Sequence, residues 1–165
     1  LKSSNPKNGD TLKSEIKSRI KGRTAIVAIG NILRGDDGLG PKLIELLKVK
    51  NVKAELFDCG TAPENYILPI LSTSCDTVVL VDAADIGECP GAMRIFDLDK
   101  ISGVSFSTHN PSPRLFTDLL KTGKDDLNIF VISMQPKTTI LGASISQDVL
   151  EGLGELTDML AESLG

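Results

Sequence analysis

The chain has 165 residues, 41% of them hydrophobic and 24% charged, with a formal net charge of -4 at pH 7. That length suits one compact domain with a genuine core, and the spread of charge argues against a largely disordered chain. An acidic balance without a basic and aromatic stretch argues against nucleic-acid binding. The three cysteines, Cys59, Cys75 and Cys89, form no CxxC pair and are expected as reduced thiols in a cytoplasmic protein.

In chain order, residues 1–22 are rich in Lys, Arg, Asn, Ser and Gly. Leu1 to Asp10 lacks the apolar core of a signal peptide. Leu12, Ile16 and Ile20 fall four apart, enough for one apolar stripe on a short helix ending near Gly22. This segment is read as a polar arm with a disordered start and a docking helix, preceding one domain over residues 23–165.

Thr24 to Ile29 (TAIVAI) is a β-branched apolar run, the pattern of a strand buried on both faces. A Gly-rich loop, Gly30 to Gly40, follows. Pro41 opens a helical pattern with Leu43, Ile44, Leu46 and Leu47, since proline's missing N–H has no helical partner in the first turn. Lys53 to Phe57 reads as a strand and Pro63 to Leu71 as a helix. Thr77 to Val81 (TVVLV) is a third strand, expected to stop at Asp82.

Ala92 to Phe96 is shorter and more polar, suited to a sheet edge. Pro113 to Lys121 reads as a helix, Asn128 to Ser133 as a buried strand, and Ser146 to Leu164 as an amphipathic helix. Alternating strands and helices with short links imply an α/β fold. The expected form is a three-layer αβα sandwich around a mainly parallel, twisted sheet of about five strands. No apolar run approaches the length of a bilayer crossing.

In open parallel sheets ligands bind beyond the carboxyl ends of the strands. The unusual polar residues cluster there. Asp36 and Asp37 follow the first strand in GNILRGDDGLG, Asp58 ends the second in DCGTAPEN, and Asp82 and Asp85 follow the third in VDAADIG. His109, the sole histidine, lies in STHNP. The first loop is not a P-loop, because Asp36 stands where the lysine must be, and it lacks the GxGxxG order of a dinucleotide site. Its adjacent carboxylates suit a cation better than a phosphate.

One histidine with two strand-end carboxylates is a minimal N,O ligand set for a borderline divalent ion, with coordination positions left open. Plainer readings of the same residues remain. Asp82 can cap a turn, His109 can cap the helix near Pro113, and Asp36/Asp37 can form a solvated acidic turn. Cys75 and Cys89 read as ordinary core or loop residues. A Cys59–His109 nucleophilic pair has no local motif behind it. A Ser–His–Asp triad through Ser107 lacks a GxSxG elbow.

Six blocks in register resemble the NiFe-hydrogenase maturation endopeptidase family: GNILRGDDGLGP at 30–41, DCGTAPEN at 58–65, VDAADIG at 81–87, PGAMRIFD at 90–97, STHN at 107–110 and MQP at 134–136. The APEN block and the DDGLG form look closest to the formate-hydrogenlyase-type and archaeal branch; other branches tend to carry glutamate where this chain has Asp37. The resemblance covers roughly Thr24 to Leu164.

It implies an endopeptidase that removes a C-terminal extension from a hydrogenase large-subunit precursor after nickel insertion. It maps the metal ligands onto Asp37, Asp82 and His109, and another acid linked to activity onto Asp58. The nickel would be the client's own, with a zinc- or cadmium-like ion able to occupy the position in isolation. The metal would either polarise the scissile carbonyl, with Asp58 or Asp82 as general base, or only position the substrate. A non-proteolytic precursor-binding chaperone and a general peptidase on the same scaffold are the alternatives. The expected state is a monomer meeting its client transiently, with client specificity in loops 88–93 and 102–107.

Overall fold

The computed structural model describes residues 9–98, 105–106 and 113–165; of 105–106 only the backbone is described. Six strands occur among these residues: β1 (Thr24–Ala28), β2 (Glu55–Asp58), β3 (Thr77–Asp85), β4 (Met93–Phe96), β5 (Ser105–Phe106) and β6 (Asn128–Met134). The helices are α1 (Gly9–Arg19), α2 (Leu39–Lys50), α3 (Ile67–Ser72), α4 (Pro113–Gly123) and α5 (Gln147–Leu164).

The main sheet has the order β2-β1-β3-β6-β4. β1 runs parallel to β2 and to β3, and β3 parallel to β6, whereas β4 closes one edge antiparallel to β6. The short β5 pairs antiparallel with the end of β3, Ala84 opposite Phe106.

Alternation along the central strands divides the core in two, because successive strand side chains point to opposite faces. Ile26, Ala28, Val79, Val81, Phe130 and Ile132 pack under α1, α2 and α5. Ala25, Val27, Val78, Leu80 and Val131 pack under α3 and α4 with Ile70, Phe116 and Leu120. Helices therefore cover both faces of the sheet, giving the expected three layers. Both faces being buried explains why β1, β3 and β6 read as continuous apolar runs rather than alternating ones.

Several boundaries differ from expectation. β3 does not stop at Asp82; it runs on to Asp85, because β6 continues beside it through Met134 and β5 pairs with its last residues. Asp82 is therefore a strand residue, not a turn cap. The helix expected over Pro63–Leu71 is a 3-10 turn, Pro63–Tyr66, followed by α3. The first helix ends at Arg19 rather than Gly22. Its Leu12 and Ile16 are buried in the same cluster as α2 and α5, and Arg19 pairs with Asp97 at 2.5 Å and Glu15 at 3.2 Å. The disordered start expected before it lies outside the described residues. No described helix is long and apolar enough to cross a membrane.

Candidate active site

The sheet order places a topological switch point between β1 and β3. After β1 the chain moves one way to β2, then returns to lay β3 on the other side. Connections leaving in opposite directions open a crevice beyond the carboxyl ends of those two strands. The loop after β1 and the end of β3 border it.

That loop turns sharply. Gly30 brings its backbone so close to the next turn that a β-carbon there would lie 1.9 Å from the Asp37 carbonyl oxygen. Gly35 has a φ of +54° and would place a β-carbon 2.6 Å from the Thr138 carbonyl. Only glycine tolerates both positions without strain. The Gly35–Gly38 stretch is a 3-10 turn, and all four of its residues, Asp36 and Asp37 included, are buried. A solvated acidic turn is thereby overturned.

The two acids have separate partners. The Asp36 carboxylate accepts hydrogen bonds from the Lys137 N–H (2.7 Å), the Thr138 N–H (3.0 Å), the Ser146 N–H (2.6 Å) and the Ser146 hydroxyl (2.9 Å). Backbone bonds reinforce the join: Asp36 N–H to Thr138 oxygen, Gly35 N–H to Ala143 oxygen, and Gly142 N–H to Leu33 oxygen. Asp36 thus fastens the first loop to the segment that leads into α5. Asp37 accepts the Asn31 N–H at 3.0 Å and is 2% exposed.

Asp82 is fully buried, and neither of its carboxylate oxygens has a hydrogen-bond partner among the described residues. Burial pushes its pKa well above the usual carboxylate value, and the negative charge of Asp37 pushes it further in the same direction. The neighbouring Ala83 N–H acts in the opposite direction and offsets only part of this. The charge of Asp37 is therefore felt at Asp82. A buried acid without compensating bonds is costly to keep unless something else engages it.

Asp58 ends β2 but stays exposed, with Oδ1 accepting the Gly60 N–H at 3.1 Å. It lines a groove of about 340 Å³ together with Ile32, Gly38, Lys42, Lys48 and Ile145. Ile32 and Leu33, and Ile140 and Leu141 on the loop joined to theirs, are exposed apolar side chains. Among the described residues no three acidic or thiol groups gather at metal-ligating spacing, so Asp58 does not complete a set with Asp37 and Asp82. His109 and Ser107 lie outside the described residues. Asp85 is exposed and accepts the Gly87 N–H at 3.1 Å, a local turn bond.

Cys59 is buried in the second core cluster. Burial first, and then the Asp58 charge, push its thiol pKa up to about 12. At neutral pH it is a protonated core residue, not the thiolate that a nucleophile requires. Cys75 is likewise buried, Cys89 is exposed, and all three are free.

Gln135, within MQP, was not singled out from sequence as a residue with a role. Its Oε1 accepts the Ile86 N–H at 2.8 Å and the Glu88 N–H at 3.4 Å, holding the loop that follows β3. Its place in the MQP block, immediately after a buried strand, is the signal that the sequence carries for it.

A doubly wound αβα sheet with a coupled pair of buried acids at its switch point and a groove beside it defines an α/β enzyme scaffold with an acidic site. Residues 41–163 match the family described as HycI, hydrogenase maturation protease. The hydrogenase 3 maturation protease of Escherichia coli K12 is 34% identical over 113 residues, covering 67% of this chain and 71% of that protein. The crystal structure of the NiFe hydrogenase maturation protease HycI from Thermococcus kodakarensis superposes with a TM-score of 0.81 at 32% identity, covering 91% of this chain and 98% of that one. The solution structure of the endopeptidase HycI from Escherichia coli gives 0.77 at 29%, covering 87% and 92%. The chain belongs to the hydrogenase maturation protease family. Asp58, Asp82 and His109 fall within the matched span, and Asp36 and Asp37 precede it.

Proposed function

We propose that this protease removes the C-terminal extension of a NiFe-hydrogenase large-subunit precursor after nickel insertion, and that Asp37, Asp82 and His109 grip the nickel carried by that client. The observation that supports the reading best is Asp82: a fully buried carboxylate, unpartnered among the described residues, coupled to Asp37 at the switch point. A divalent cation relieves both the repulsion and the lost hydrogen bonding. The chain path is compatible with the third ligand. β5 ends at Phe106, opposite Ala84 and two residues beyond Asp82, and a three-residue tether to His109 spans about 10 Å at most. The same ligand set accommodates a zinc- or cadmium-like ion in the isolated protein.

Within this reading the site divides its labour. Asp37 and Asp82 orient the client's metal-bearing segment, and the groove beside Ile32 and Ile145 holds the chain that continues from it. Asp58 lies two strands away from β3, about 10 Å along the sheet. Unlike Asp82 it meets solvent, which suits it to take the proton from an attacking water. The water oxygen adds to the scissile carbonyl carbon, Asp58 accepts the proton and returns it to the amide nitrogen, and the C–N bond breaks. Acting transiently on a folded precursor, the protein is read as a cytoplasmic monomer.

Incubation of the full chain with nickel-loaded precursor, followed by mass measurement of the large subunit, tests the reading. The expected result is loss of a short C-terminal peptide by wild type and no loss with Asp37→Ala, Asp82→Ala or His109→Ala. Normal processing by His109→Ala would falsify the three-ligand grip. A bound but unshortened precursor would point to a chaperone, and nickel-independent cutting of unrelated peptides to a general peptidase.

A further inference from the structure

Ser133 on β6 stands directly across the parallel ladder from Asp82 on β3. Both continue the side of the sheet that carries Leu80 and Val131, the face packed by α3 and α4. Ser133 is fully buried, and its hydroxyl has no hydrogen-bond partner among the described residues.

That hydroxyl is out of place by the chain's own standard. Among the described residues the other buried hydroxyls all hold a carbonyl: Thr24 that of Gly22, Thr77 that of Lys21, Thr117 that of Arg114 and Thr157 that of Leu153. The neighbours of Ser133 on β6, from Phe130 to Ile132 and then Met134, are fully buried hydrophobics. An unpaired buried hydroxyl is costly, so alanine would serve packing better. Three unsatisfied oxygens, two on Asp82 and one on Ser133, therefore sit side by side at the end of the sheet facing the crevice.

We propose that Ser133 is a positioning residue of the acid site, whose hydroxyl donates a hydrogen bond to one Asp82 oxygen when the other engages a divalent ion. Opposed residues on adjacent strands are separated by about 5 Å between backbones, so rotation about one side-chain bond brings the hydroxyl to the carboxylate. A donor behind a carboxylate ligand fixes which oxygen faces the metal, and its loss lowers metal affinity by roughly 10–100-fold. This inference rests on the metal grip proposed above.

The test is titration of the full chain with Cd²⁺ in the absence of client, by calorimetry and by the ¹¹³Cd resonance of the bound ion. Ser133→Ala is expected to bind Cd²⁺ at least about tenfold more weakly than wild type, with a displaced ¹¹³Cd resonance. Its melting temperature should be equal or higher, and Asp82→Asn should bind none. Wild-type affinity and an unchanged resonance in Ser133→Ala overturn the inference alone. Weaker binding that merely tracks a fall in melting temperature assigns Ser133 a structural role and also overturns it. A wild-type protein that binds no Cd²⁺ removes the metal grip and this inference with it.

Discussion

Asp36 and Asp37 are adjacent and both buried, yet they face opposite tasks. The Asp36 carboxylate accepts four hydrogen bonds from Lys137, Thr138 and Ser146, whereas Asp37 accepts the Asn31 N–H and exerts its charge on Asp82. A 3-10 turn advances about a third of a revolution per residue, which sends consecutive side chains in different directions. One acid thereby anchors the turn that presents the other.

Removing the anchor should cost stability before it costs chemistry. Asp36→Ala strands three backbone N–H groups, each worth about 1–3 kcal/mol when buried and unpaired. A loss of about 3 kcal/mol or more is expected in urea unfolding, allowing for partial access of water to the opened loop. A loss under about 0.5 kcal/mol would show that the loop is held by other means.

Asp82→Asn should do the reverse in metal-free protein. The folded Asp82 holds its proton to higher pH than the unfolded chain does, so the native state binds more protons across that interval. Its contribution is fully present below the ordinary carboxylate value, about 3.8, and is lost as pH rises through the raised folded-state value. The stability of wild type relative to Asp82→Asn should therefore decline with rising pH above that point. Parallel curves in pH-dependent denaturation would contradict the raised pKa.

The thiols should separate by reactivity. Iodoacetamide at pH 8 is expected to modify Cys89, which is exposed, and to leave Cys59 and Cys75 intact in folded protein. Peptide mass mapping reads the result. Rapid loss of precursor processing through alkylation of Cys59 would revive the nucleophilic cysteine that its pKa of about 12 argues against.

Gly30→Ala should disturb the site without touching an acidic side chain. The added β-carbon would meet the Asp37 carbonyl oxygen at 1.9 Å, and overpacking of this kind typically costs about 1–3 kcal/mol. The expected outcome is a lower melting temperature together with weaker Cd²⁺ binding. A protein with wild-type values for both would mean that the turn has room to shift.

Much of this organisation was legible along the chain. TVVLV and NIFVIS announce strands buried on both faces, and the polar AMRIF pattern announces an edge; β3, β6 and β4 occupy those places. The placing of the acids beyond β1 and on β3 follows from where apolar runs end. What one dimension hides is the partner of each polar group. Asp36 looks like the twin of Asp37 until Ser146, 110 residues later, arrives beside it. Asp82 looks like the end of a strand until β5 and β6 carry its ladder onward to Asp85.

The α/β class, the central apolar strands and the family blocks can be read along the chain, because they depend on local periodicity and residue type. That Asp36 is an anchor, that Cys59 is a buried, protonated thiol, and that Ser133 lies beside Asp82 emerges only once the layers are assembled. Those outcomes depend on burial and on hydrogen-bond partners contributed by distant strands and loops, and burial is a property of the assembled layers rather than of any segment.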